Sequence, residues 1–149
     1  YVRIKRRFTP FVILYKNETN YGVAYTRNRL LQLAKGKYIA IMDADDVAHL
    51  DRLAIQVDRL ENDIYIDGIS SGCILIDENG SPISQLVYSG KTPKEVCAWL
   101  FFDDVIINST AMFKKSVIDK WNIKYRNELI SLTLANSHMT PTIFIYRLW

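Results

Sequence analysis

Hydrophobic positions along the chain change their period several times, and each change predicts an element. Phe11-Val12-Ile13-Leu14 is a short apolar run rich in aromatic and β-branched residues, which predicts a buried strand. Asn17 to Gly22 interrupts it with turn residues, and Gly22 offers the positive φ that a sharp turn needs. From Val23 the period becomes helical. Val23, Ala24, Arg27, Leu30, Leu31 and Ala34 share one face, and Gly36 stands where a helix C-terminus favours glycine. Tyr38-Ile39-Ala40-Ile41-Met42 is then apolar throughout and closed by Asp43, the pattern of a strand covered on both faces in a parallel sheet. A second amphipathic helix follows, with Leu50, Leu53, Ala54, Val57 and Leu60 on its core face.

Farther along, Ile64–Ile76 and Ile83–Tyr88 predict an antiparallel hairpin about the turn Asp77-Glu78-Asn79-Gly80. Thr92-Pro93-Lys94-Glu95 is a helix start, with proline at the first helical position and a capping-box glutamate, and its helix runs to about Phe102. Asp103–Asn108 reads as a loop and Ser109–Phe113 as a strand. Ser116 is expected to cap a short helix carrying Val117, Ile118 and Trp121. After Tyr125 the pattern loses clarity, and residues 126–149 read as a divergent tail ending in the apolar, aromatic stretch Thr142–Trp149. Early alternation of strand and helix followed by a hairpin predicts an α/β domain with a mixed sheet.

Composition narrows the classes. At 149 residues and 49% hydrophobic, the chain suits one domain, residues 1–149, with ample material for a core. No apolar stretch approaches the ~18 residues of a membrane span. Two cysteines, Cys73 and Cys97, make no disulfide framework and have no metal-ligand spacing, so they read as reduced thiols in a cytoplasmic protein. The net charge of +3 is unevenly spread. Arg3, Lys5, Arg6 and Arg7 make the start basic, the stretch from Lys114 is basic again, and the middle is acidic. That distribution argues against a nucleic-acid partner. The Arg3–Arg7 run reads as a solvated basic end, with peripheral contact to a phosphate-bearing membrane face as the alternative. The first residues carry no apolar signal segment and no initiating methionine, so the chain reads as a piece of a longer protein.

Two places can carry chemistry. Asp43-Ala44-Asp45-Asp46 closes the strand Tyr38–Met42, and ligands in open α/β sheets gather at the carboxyl ends of strands. Three carboxylates in four residues repel one another unless a positive charge neutralises them. A hard divalent cation does so through oxygen ligands while bridging to substrate phosphates; a solvated acidic loop, with Asp46 or Asp51 capping the next helix, is the plainer alternative. The second place is Asn20-Tyr21-Gly22 followed by Arg27 and Asn28. A turn ending at a helix N-terminus suits anions, and Arg27 adds a planar donor fork.

Together these segments resemble a known family. The run N-x-G-x-x-x-x-R-N (Asn20 to Asn28), then A-K-G-K-Y-I-A (Ala34 to Ala40) and M-D-A-D-D (Met42 to Asp46), is similar to family 2 glycosyltransferases. The resemblance continues through Asp51-Arg52-Leu53, Gln56-Val57, Asp77–Gly80 and Asn108–Ser116, covering about residues 17–126. It implies a GT-A-like fold, that of nucleotide-diphospho-sugar transferases, and inverting transfer of a sugar from a nucleotide-sugar donor, a UDP-sugar foremost. The implied acceptor is a saccharide or a lipid-linked molecule, at the inner face of the membrane, in cell-surface polysaccharide synthesis. Asp43 and Asp45, with Ala44 between them, match the family's D-x-D motif, which contacts ribose and diphosphate and holds Mn²⁺ or Mg²⁺. Asn20 and Arg27 match positions near the nucleotide.

The departures set further expectations. Nothing before Phe11 matches the family's base-binding strand, and Glu128, Asp103 and Asp104 do not match its general-base motif. The chain is thus expected to be truncated at the front and altered or cut at the back, with its catalytic base unassigned. A degenerate, non-catalytic module of the same fold is one alternative. Another is a haloacid-dehalogenase-type phosphatase, whose first motif also ends an apolar strand with D-x-D.

Overall fold

The computed structural model describes residues 13, 15–86, 95, 106–126 and 129–133, the last five along the backbone. Elements run in the order helix α1 (Val23–Leu33), β1 (Tyr38–Ala40), α2 (Arg52–Asn62), β2 (Gly68–Ile69), β3 (Cys73–Ile76), β4 (Pro82–Leu86), a 3-10 turn (Asn108–Thr110), β5 (Met112–Lys114), α3 (Lys115–Trp121), β6 (Lys124–Arg126) and β7 (Leu129–Thr133). The expected strand Phe11–Leu14, the helix from Thr92 to Phe102 and the tail Thr142–Trp149 lie outside the described residues, apart from Ile13 and Glu95. So do the Arg3–Arg7 run, Cys97, Asp103, Asp104 and Glu128. Among the described residues no helix is long and apolar enough to cross a membrane.

β5 organises the fold. It lies between β1 and β2 and pairs antiparallel with both, so the two outer strands point the same way. Alternation along it sends Ala111 and Phe113 to one face and Met112 to the other. On the first face Leu31 of α1, Ile118 of α3, Ile123 and Tyr125 close a core around Phe113. On the second, Leu60 of α2 packs with Ile66, Ile69 and Met112. Helices therefore cover both faces, the α/β layering that the pattern predicts. Gly68 faces Phe113 across the ladder, where a Cβ would come within 2.5 Å of the ring.

The strand read as Tyr38–Met42 is shorter and less covered than expected. Its ladder is antiparallel and ends at Ala40, and Met42, beyond the strand, is 45% exposed. α1 keeps its predicted span, but Val23 and Leu30 are exposed and Leu31 alone is fully buried. Gly36 has no positive φ, and the helix ends at Ala34 in extended backbone. The predicted face of α2 holds at Leu60, which is buried, and at Val57, which packs beside it, but Leu50, Leu53 and Ala54 are solvent-exposed and the unpredicted Gln56 is buried in their place. Ser116 does not cap α3, since the helix begins at Lys115 without a side-chain cap.

The hairpin β3–β4 forms about the predicted turn. Asp77 accepts hydrogen bonds from the N–H groups of Asn79 (2.9 Å) and Ser81 (2.8 Å), and Gly80 takes φ 83°. The long strand read from Ile64 is instead divided, with β2 joining the central sheet and β3 the hairpin. Beyond Tyr125, β6 and β7 pair antiparallel, a second hairpin where the sequence pattern is silent.

Two measurements test this packing. Gln56 is fully buried; its Nε2 donates to the Thr110 carbonyl (2.7 Å) and its Oε1 accepts from Arg52 (3.2 Å). Gln56→Leu strands both partners and should lower unfolding free energy by about 2 kcal/mol in urea titrations. Leu50→Ser, at a residue 97% exposed, should stay within about 0.5 kcal/mol of wild type. A harmless Gln56→Leu would show that α2 is not held through this bond. The second test concerns Tyr125, whose phenol burial pushes up to about 12, against the pull of Arg27 and with a further push from Asp43. A folded value above the ordinary 10 means that the neutral phenol stabilises fully below pH 10 and loses this as pH rises towards 12. Relative to Tyr125→Phe, wild type should therefore lose on the order of 2 kcal/mol between about pH 9 and pH 12. A pH-independent difference would contradict the burial.

Candidate functional site

The acidic loop leaves the carboxyl end of β1 and leads into α2. Ile41 extends the β1 ladder by donating its N–H to the Ala111 carbonyl (2.9 Å). From there the chain turns, with the Asp46 N–H donating to the Asp43 carbonyl (3.3 Å). Ala44, Asp45 and Asp46 are exposed, while Asp43 is half-buried. Asp51 occupies the N-cap position of α2 but makes no side-chain capping bond.

Helix α1 brings Arg27 to this loop. Its Nη2 donates to Asp43 Oδ1 at 2.7 Å, and its guanidinium lies 5.3 Å from the centre of the Tyr125 ring. The Arg27 side chain is 20% exposed and that of Asp43 42%, so the pair is partly withdrawn from water. Two residues far apart in sequence, each matched on its own to the nucleotide side of the family, are thus in direct contact. Asn20 stands at the start of the same helix. Its Oδ1 accepts the Gly22 N–H (3.0 Å) and Gly22 takes φ 85°, so Asn20 shapes the turn that opens α1.

A second arginine lies under the loop. Arg52 Nη2 donates to the Ile41 carbonyl at 2.8 Å and reaches the Ala111 carbonyl at 3.4 Å. Burial lowers its pKa and the charge of Asp46 opposes that shift, which places Asp46 within its electrostatic reach. Among the described residues Asp43 is thus the one carboxylate of the three that a protein cation pairs directly. Among the described residues Asp45 forms no ion pair. Burial also pushes the Cys73 thiol up, with Asp46 adding to the rise, which keeps that thiol protonated.

The residues that the sequence pattern leaves unassigned are Tyr125, Asn108 and the structural role of Arg52. Asn28 clamps the Tyr125 backbone from both sides, donating to its carbonyl (2.9 Å) and accepting from its N–H (2.8 Å). The Tyr125 hydroxyl donates to Asn108 Oδ1 at 3.3 Å. Arg52 and Asn108 stand within segments that resemble the family, and Asn28 directly follows Arg27 in the motif; Tyr125 has no role assigned by the resemblance.

The family model described as Glycosyl transferase family 2 matches residues 2–147. A glycosyltransferase of Methanocaldococcus jannaschii, itself uncharacterized, is 36% identical over 119 residues, 80% of this chain and 40% of that protein. TuaG of Bacillus subtilis, named for teichuronic acid biosynthesis, is 27% identical over 104 residues, 69% of this chain and 38% of its own length. EpsE of the same bacterium, also named a glycosyltransferase, is 37% identical over 73 residues, 49% of this chain and 26% of EpsE. The chain spans two fifths or less of each of these relatives. The match takes in α1 and the acidic loop together, which the phosphatase alternative does not account for. With its motif residues carried on these elements, the chain belongs to glycosyl transferase family 2, and its α/β architecture is of the GT-A-like kind that this membership entails.

Proposed function

We propose that this chain forms the donor side of an inverting glycosyltransferase, binding a nucleotide sugar, a UDP-sugar foremost, at the carboxyl end of β1. The observation that carries the reading is the 2.7 Å contact between Arg27 and Asp43, which joins two motif residues of the family into one site. In this reading Asn20 sets the turn, Arg27 faces the diphosphate, and Asp43, Ala44 and Asp45 line the ribose and phosphates. The acceptor is a saccharide or a lipid-linked molecule. The name of TuaG, which speaks of teichuronic acid biosynthesis, supports a place in cell-surface polysaccharide synthesis; the inner face of the membrane is the location this reading assigns.

The fit of a divalent ion follows from the donor set. Among the described residues no three His, Cys, Asp or Glu side chains converge to form a cage. An exposed carboxylate pair suits instead an ion that keeps waters and takes the rest of its ligands from substrate phosphates, as Mg²⁺ and Mn²⁺ do. Asp45 is the primary ligand in this reading and Asp43, shared with Arg27, the secondary one. Such an ion neutralises charge on the leaving diphosphate. The chain's own part is to orient: Arg27 is held in place, and the loop is fixed at Ile41 by Arg52.

Asp45→Asn should weaken Mn²⁺-dependent binding of UDP by about tenfold or more, equivalent to at least ~1.4 kcal/mol. Asp46→Asn should have a smaller effect, because Asp46 lies outside the D-x-D pair. Calorimetric titration of UDP with and without Mn²⁺ measures both. Equal, small changes would leave only a solvated acidic loop.

A further inference from the structure

We infer that Tyr125 is a positioning residue of the donor site: its ring face holds the Arg27 guanidinium at Asp43, and so sets the stance from which Arg27 meets the donor's phosphates. The inference rests on the nucleotide-sugar reading above and extends it to a residue on a different element, β6. Tyr125 is 4% exposed, and its centroid lies 5.3 Å from Arg27 Cζ, within the reach of a cation–π contact. Such contacts strengthen when the cation is partly desolvated, as the Arg27 side chain is at 20% exposure.

The tyrosine is itself held at three points. Asn28 binds both backbone groups of Tyr125, and Asn108, in the turn that leads into β5, accepts its hydroxyl. Asn28 is the residue next to Arg27, so one turn of α1 carries both the guanidinium and the clamp on its platform. Any shift of β6 along α1 would break the clamp and move the ring from under the cation together. Asn108 Nδ2 is buried without a hydrogen-bond partner among the described residues, although its carbonyl end receives the phenol. Asp43 holds one guanidinium nitrogen and the ring lies against the group; together they restrain the fork. A planar fork presented to phosphate gains from that restraint, since less freedom is lost when the ligand arrives.

The test separates the ring's electrostatic character from its bulk. Tyr125→Phe keeps the face and removes only the hydroxyl, so UDP affinity in Mn²⁺ should stay within about twofold of wild type. Fluorinated phenylalanines at position 125 keep the shape but weaken the negative face of the ring. Affinity should then fall stepwise, severalfold in all, and the same series in an Arg27→Gln background should show no trend. A ring that only fills the core would give equal affinities along the series in both backgrounds, and that result overturns the inference. Ligand-free NMR adds a second readout. The Arg27 Hε and Hδ protons should be shifted upfield by the ring current in wild type and in Tyr125→Phe; ordinary positions in wild type would overturn the contact. If wild type keeps those shifts yet binds no UDP, it is the nucleotide reading that fails, and not the Tyr125–Arg27 coupling.

Discussion

The structure depends on how the backbone carbonyls at one end of its central sheet are satisfied. Where β1 and the lead into β5 leave the ladder, the carbonyls of Ile41, Thr110 and Ala111 need donors that the strands do not supply in full. Helix α2 supplies them with side chains. Arg52 reaches Ile41 and Ala111, Gln56 reaches Thr110, and Gln56 in turn accepts from Arg52. Thr110 continues the chain of bonds by accepting the Ser71 N–H and offering its one hydroxyl proton to the Ser71 or the Ile107 carbonyl, both within reach. A buried carbonyl without a donor costs about 1–3 kcal/mol, so this network decides where α2 sits and which of its faces turns inward. Leu60 and Val57 then meet Ile66, Ile69 and Met112 as a consequence.

That constraint also explains which features were legible in the sequence. The span of α1, the turn at Asp77–Gly80 and the acidic loop at a strand end were written in local chemistry, and local chemistry is what a single chain displays. Helix azimuth was not. Leu50, Leu53, Val57 and Leu60 have helical spacing, yet the inward line of α2 runs through Arg52, Gln56 and Leu60. A polar side chain that bonds to a carbonyl on another strand looks, in one dimension, like a solvated one. β6 escaped for a different reason: three residues, Lys124–Arg126, are too few to show a period, and the value of Tyr125 lies in contacts with residues 97 positions away. Arg27 and Asp43 could be picked out as motif positions because motif spacing survives without the fold; their contact could not, because it requires α1 and β1 to be packed.

The same packing alters the electrostatics that the sequence suggested. Three carboxylates in a row call for a counter-charge, and a metal ion was the obvious source. Arg27 on Asp43 provides part of it from the protein itself, and Arg52 adds positive charge beneath the loop at Ile41. Neither arginine is spare. Arg27 also lies over Tyr125, and Arg52 also closes the backbone network, so each charge has a structural and an electrostatic partner.

A loop whose folding required a metal would unfold when the metal left, since binding free energy would be folding free energy. Here the hydrogen bonds that fix the loop come from Arg52 and from the β1–β5 ladder, and its buried carbonyls are met without any ion. The charge left over sits on Asp45 and Asp46, both exposed and neither in an ion pair among the described residues. One exposed carboxylate is a weak site alone and a competent one when phosphate oxygens complete the coordination. In the proposed reading, ion and nucleotide therefore bind together, each supplying what the other lacks, while the protein keeps its shape through arginines. That coupling ties the ion's presence to the presence of a leaving diphosphate, which is the only moment at which its charge is useful.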